Sequence, residues 1–324
     1  MSDATGIMQG PPPATHAVSR VITPDHRGSW IPPWRLVTSK LMELRKRRGM
    51  MVAVLLLSVG VMVVLNAIFL ILHAADPATY GPAGGINKLR AFSLAFIQVF
   101  GISAILIGAA SGSTDLSDGM FRHLVSTGRS RLALFVSRIP AGLLLILPIT
   151  AFAYLVESLI AVYAAPTGLQ TIIGGIKRAQ IGSGGSVVIS PHVVMASAVP
   201  STRLLIEVGG WLMLEVAVAF VIGLGLGSLT GSRSATIAIL IAMQLIVTPI
   251  LSGVSIPHLI NLQRAFVGVA LGQLEPSGLT GIGGNGGGGM GPIVSIPPMP
   301  AFGVVIVILG WVVGWLILGA WRMA

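Results

Sequence analysis

The chain has 324 residues, of which 54% are hydrophobic and only 9% charged, with 20 Lys+Arg against 10 Asp+Glu. A water-soluble domain carries about 25% charged residues, so lipid must cover much of this surface and a soluble enzyme is excluded. The net charge of +10 does not point to nucleic acid, because the bases sit at the ends of apolar runs, where they orient membrane spans.

Residues 1–33 are polar, proline-rich (Pro11-Pro12-Pro13, Pro24, Pro32-Pro33) and without periodicity. They are expected to form a disordered cytoplasmic tail ahead of a permease domain over 34–324. The first apolar stretch starts only at Gly49, too far in for a cleaved signal peptide. From Trp34 to Arg48, residues Trp34, Val37, Leu41 and Leu44 share one helical face and Arg35, Lys40 and Glu43 lie elsewhere. Arg45-Lys46-Arg47-Arg48 then closes the segment. This predicts an interfacial helix with its apolar face in the acyl boundary and its bases at anionic headgroups, making membrane lipid a partner.

Six segments are long enough for a hydrocarbon core, which takes about 20 residues: 50–72, 92–110, 133–156, 204–229, 234–254 and 301–321. No charged residue occurs from Gly49 to Ala75 or from Ser234 to Gln263. Span four is atypical, because it contains Glu207 and Glu215. If both termini face the cytoplasm, that side carries 14 Lys+Arg and the opposite side 6, namely Lys88, Arg90, Lys177, Arg178, Arg203 and Arg264. The asymmetry places both ends in the cytoplasm of a multi-pass cell-membrane protein.

Between spans two and three, Ser113 or Thr114 is a candidate cap, with Asp115 and Asp118 at the positive end of a short helix. Leu116, Met120, Phe121, Leu124 and Val125 make an amphipathic stripe, and Gly128 is a natural stop before the basic turn Arg129-Ser130-Arg131. Such a helix either lies on lipid or inserts into a cleft on a soluble partner. Outside the spans, 157–203 and 255–300 are glycine-rich, including Gly286 to Gly289. They read as linkers and not as phosphate loops, since GxxxxGK[ST] is absent. Within the second, Ile256–Leu274 is apolar and is either a short helix or a re-entrant segment.

Glu215 lies about 18 Å below the Arg203 end at 1.5 Å per residue, near mid-bilayer. An acid there costs roughly 2.5–3.5 kcal/mol on insertion scales. It either contacts a cationic or hydrogen-bonding substrate, or is held by a neighbouring span through Gln98 or Gln244. Glu157 and Glu207 lie towards the outer face, where headgroup contact is ordinary. Gly223 and Gly227 form a GxxxG, expected at a structural dimer contact. No cysteine is present, and no two of the six histidines are three or four residues apart, so no metal site is expected.

The layout resembles the permease subunits of type-2 ABC exporters, the ABC-2 family. The matching residues are Asp118-Gly119-Met120-Phe121-Arg122-His123-Leu124 with Ser126-Thr127-Gly128-Arg129-Ser130-Arg131, and the turn Leu229-Thr230-Gly231-Ser232-Arg233-Ser234-Ala235-Thr236. Met120 stands where the family usually has Thr, and Asp118 where it often has Glu. The resemblance implies an all-α membrane fold of six spans, with an N-terminal elbow helix and a cytoplasmic coupling helix between spans two and three. It also implies a separate ATPase subunit that binds ATP and Mg, no cofactor and no catalysis in this chain, and a second permease as homodimer or heterodimer partner. Asp115, Asp118, Met120, Phe121, Arg122, Leu124, Gly128, Arg129 and Arg131 would contact the ATPase. Family substrates range over drugs, lipids, polysaccharides, peptides and sodium, with drug or antibiotic efflux the commonest expectation. The rival readings are an ATPase-independent secondary transporter or channel and, more weakly, a membrane enzyme.

Overall fold

The computed structural model describes residues 34–76, 80, 83–117, 131–165, 199–253, 257–280 and 299–323. All regular structure among them is helical. Six helices are long and apolar enough to span a membrane: Arg48–Ala75, Ile86–Thr114, Arg131–Tyr163, Thr202–Thr230, Arg233–Leu251 and Ala301–Arg322. The chain is a multi-pass membrane protein. Spans two and three extend beyond their apolar cores at both ends, so Lys88 and Arg90 lie on span two and not before it. For reference, the bundle end holding Arg48, Arg131, Arg233 and Arg322 is called the basic end, and the other the far end.

Spans two and four form the buried centre, while spans one, five and six turn most of their surface outward. The close central packing has an explicit sequence cause. A Cβ on Gly108 would lie 2.9 Å from Leu224 N, and one on Gly112 2.7 Å from Ser228 N. From the other side, Gly223 meets Ile105 and Ala109, and Gly227 meets Ala109. Two GxxxG elements therefore face each other within one chain, with backbones close enough to add dispersion contact where lipid supplies no hydrophobic drive. This corrects the expectation of a dimer contact at Gly223 and Gly227: their open faces are already filled by span two. Gly225 receives Trp315 of span six, and Gly142 leaves the notch that Phe220 fills.

The N-terminal helix, Trp34–Lys46, ends on Arg45 and Lys46. Leu36, Val37 and Leu44 are its buried residues, whereas Trp34 is 66% exposed. The buried face is therefore displaced from the expected stripe, because the helix packs against span three.

The turn between spans four and five is built as its residues dictate. Gly231 takes φ +66 at the helix end, where a side chain would be strained, and Ser232 accepts from Ala235 N to cap the next helix. At the basic end, Arg138 is 2% exposed and donates through Nη1 to the carbonyls of Ser111 and Gly112, both at 3.1 Å. These bonds tie the start of span three to the last turns of span two.

After span five the chain does not cross again directly. A 3₁₀ turn, Pro257–Leu259, leads into the short helices Ile260–Arg264, Val267–Gly272 and Ser277–Thr280. Gln263 Nε2 donates to Leu251 O at the end of span five, and Leu279 is buried in the same core as Leu89 of span two. Between these far-end anchors the segment dips inward. Trp311 Nε1 donates to Ala265 O at 2.7 Å, and Trp211 Nε1 to Leu271 O at 3.0 Å. Gly268 packs on Thr248, one turn inside Leu251, so the dip reaches about 5 Å below the end of span five. The Trp311 indole serves the Ala265 carbonyl at the helix break, and the Trp211 indole adds to the Leu274 N–H already on the Leu271 carbonyl. The segment enters and leaves at the far end without crossing, a shallow re-entrant turn.

Candidate functional site

A cavity of about 130 Å³ lies where spans two, four and five meet the re-entrant segment and span six. Its walls are mostly apolar, among them Ile105, Val218, Ile222, Met243, Phe266 and Trp311. Four polar side chains line it: Gln98, Glu215, Gln244 and Thr248.

Local backbone features open this space. Span five runs as a π-helix over Met243–Val247. Such a bulge widens the turn and re-aims its side chains, a device frequent at functional sites. Gln244 sits in that stretch, and its Nε2 donates to Ile97 O of span two at 3.3 Å. Gly101 provides the room, since a Cβ there would lie 3.2 Å from Gln244 Cδ and Oε1. Thr248 donates its hydroxyl to Met243 O at 3.0 Å and packs on Gly268, where a Cβ would be 2.7 Å from Thr248 Cγ2. Phe266 and Trp311 meet edge to face, centroids 5.6 Å apart.

Glu215 has neither a hydrogen bond nor an ion pair among the described residues. The arrangement considered from sequence, a carboxyl held by Gln98 or Gln244, is not the one adopted. Gln244 serves the Ile97 carbonyl, and Gln98 Oε1 is itself buried without a hydrogen-bond partner. The Glu215 carboxyl thus lines the cavity unpaired among the described residues, and the buried Gln98 Oε1 departs from the general rule that buried polar groups find partners.

A second polar cluster lies towards the far end. Glu157 is 3% exposed, and its Oε2 accepts from Asn66 Nδ2 of span one at 2.8 Å. Lys88 Nζ stands 3.2 Å from the centroid of Phe69 and 4.9 Å from that of Phe92. Glu157 is therefore not the headgroup-facing acid expected: its helix turns it inward onto span one. Glu207 is partly exposed and pairs with Arg203 at 2.7 Å, one turn away.

Of the other predicted site residues, Asp118, Met120, Phe121, Arg122, Leu124, Gly128 and Arg129 lie outside the described residues. Asp115 belongs to the last turn of a helix that continues to Ser117, and Arg131 opens the next helix and is exposed. Ser113 and Thr114 do not cap a new helix. Their hydroxyls donate back to Ala109 O and Ala110 O at 2.7 and 2.6 Å, which lets span two run on through them. The sequence reading missed Thr248, Phe266, Trp311 and the glycines that shape the cavity. Gln98 and Gln244, lone amides in apolar spans, were the legible signal. No group of three or more His, Cys, Asp or Glu able to hold a metal occurs among the described residues. Comparison with protein-family models, with curated proteins and with solved structures returns no match.

Proposed function

We propose that this chain is the membrane-spanning permease subunit of an ATP-driven exporter of the ABC-2 kind. Two copies, or this chain and a related permease, would enclose the pathway in a cell membrane, with both termini cytoplasmic. A separate ATPase would hold ATP and Mg, and this chain would catalyse nothing. Drug or antibiotic efflux remains the working substrate class. The observation that carries a transport role is the intramembrane cavity at Glu215, an acid retained at mid-bilayer depth with no protein partner among the described residues. Such residues mark ion and substrate paths. Support for the ATPase comes from the resemblance of residues 118–131 to a coupling loop and from the basic end on which that loop is carried.

In this reading Met120 and Phe121 fill an apolar cleft on the ATPase, while Arg122, Arg129 and Arg131 pair with its carboxylates. Replacing Phe121 by Asp should leave membrane insertion intact and abolish export driven by ATP. Unchanged export by that variant would remove the coupling role.

A second reading is favoured by the re-entrant segment. Short broken helices beside a mid-membrane carboxylate are also how ATPase-independent secondary transporters build their sites. The two readings differ in one respect: only the exporter needs a soluble ATPase.

A further inference from the structure

We propose that the Glu215 cavity binds a singly charged organic ammonium, a ligand whose N–H groups meet Glu215 and whose apolar arm lies against Phe266 and Trp311. This deepens the transport reading above and rests on it for the site's purpose. The argument comes from the balance of donors and acceptors. Three donors of the wall are spent on main-chain carbonyls: Gln244 Nε2 on Ile97, Thr248 Oγ1 on Met243 and Trp311 Nε1 on Ala265. The Glu215 carboxyl is left unspent and is the one charged side chain lining the cavity among the described residues. A cavity with one carboxylate and no cation is satisfied by a donor carrying one positive charge.

The remaining surface selects an organic cation over a metal ion. Hard cations take about six or more oxygen ligands, whereas this wall is apolar apart from its four polar side chains. Among the described residues, no His, Cys or Asp lines the cavity and Glu215 is its one carboxylate. Two aromatic rings provide surface on which an ammonium or its apolar arm is stable. The volume, about 130 Å³, is close to the ~150 Å³ cavity that holds benzene in an engineered protein, so the occupant is of that size.

The test uses the full chain in nanodiscs, with benzylammonium as probe and benzyl alcohol as its uncharged counterpart of similar shape. Binding is followed by tryptophan fluorescence against empty nanodiscs. The expected result is saturable benzylammonium binding that weakens at least tenfold in Glu215→Gln, while benzyl alcohol binds both proteins alike. A hundredfold excess of sodium should not displace the probe. Equal benzylammonium affinity in the native protein and Glu215→Gln, no saturable binding, or displacement by sodium would each overturn the proposal. Thermal unfolding of each variant confirms that the protein tested is folded. Because no ATPase is present, failure here leaves the permease reading standing, and loss of the ATPase partner leaves this binding result unaffected.

Discussion

The central helix pair makes a prediction whose size follows from the geometry. Gly108→Ala would place a Cβ 2.9 Å from Leu224 N and closer still to the Phe220 carbonyl, where ordinary contact begins at 3.4 Å. Both obstacles are backbone, so no side chain can swing away and spans two and four must part by roughly 0.5–1 Å. Overpacking of this kind costs about 1–3 kcal/mol. Alanine recovers at most about 1 kcal/mol of helix propensity over glycine. Gly210→Ala is the control: a Cβ there meets nothing within 4 Å, so it carries the propensity gain without the clash. Gly223→Ala, 3.1 Å from Ile105 O, should fall between. The assay is thermal unfolding in one detergent, followed by tryptophan fluorescence. Gly108→Ala should melt several degrees below Gly210→Ala, since about 1 kcal/mol moves a chain of this size by a few degrees. Adding Gly112→Ala should cost less than its separate effect, because one displacement relieves both clashes. Equal melting of Gly108→Ala and Gly210→Ala would refute the close approach of the two helices.

Trp211→Phe removes the indole donor from the Leu271 carbonyl, which keeps Leu274 N at 3.0 Å, a loss of about 0.5–1.5 kcal/mol. The chain has no cysteine, so a single Cys at Gly272 should react faster with an impermeant maleimide when Trp211 is Phe, and unchanged labelling would contradict a re-entrant segment pinned there. Glu275 lies outside the spans, and burial raises its carboxyl pKa above 4.5, with Arg90 pulling the other way. A raised folded-state value means that its contribution to stability is full below about 4.5 and is lost as pH rises through the folded value. The melting difference between the native protein and Glu275→Gln should therefore shift against the native protein across that rise, and a pH-independent difference would contradict it.

What the sequence disclosed, and what it hid, follow from the range of the forces involved. Spans one and five were unmistakable because uninterrupted apolar runs are a local property, and each of the six apolar stretches is a helix. Their ends were harder. Lys88 and Arg90 lie on span two because helical hydrogen bonding continues past the point where hydropathy falls. Hydroxyls likewise carry the helix beyond Ser113, where capping residues read as a start. The partnerships of Gly108 with Leu224, and of Glu157 with Asn66 across 91 positions, depend on which helices become neighbours, which no local pattern states. Glu215 was legible as an anomaly from its type and depth alone. Its cavity was not, since Phe266, Thr248 and Trp311 come from three separate elements.

The central claim is that this chain works with a separate ATPase. The direct measurement is purification of the tagged native protein in mild detergent, with mass spectrometry of the chains that remain bound. The account predicts a stoichiometric soluble subunit bearing GxxxxGK[ST]. A purified chain that retains no such partner, and that moves solute across vesicles without ATP, would contradict it.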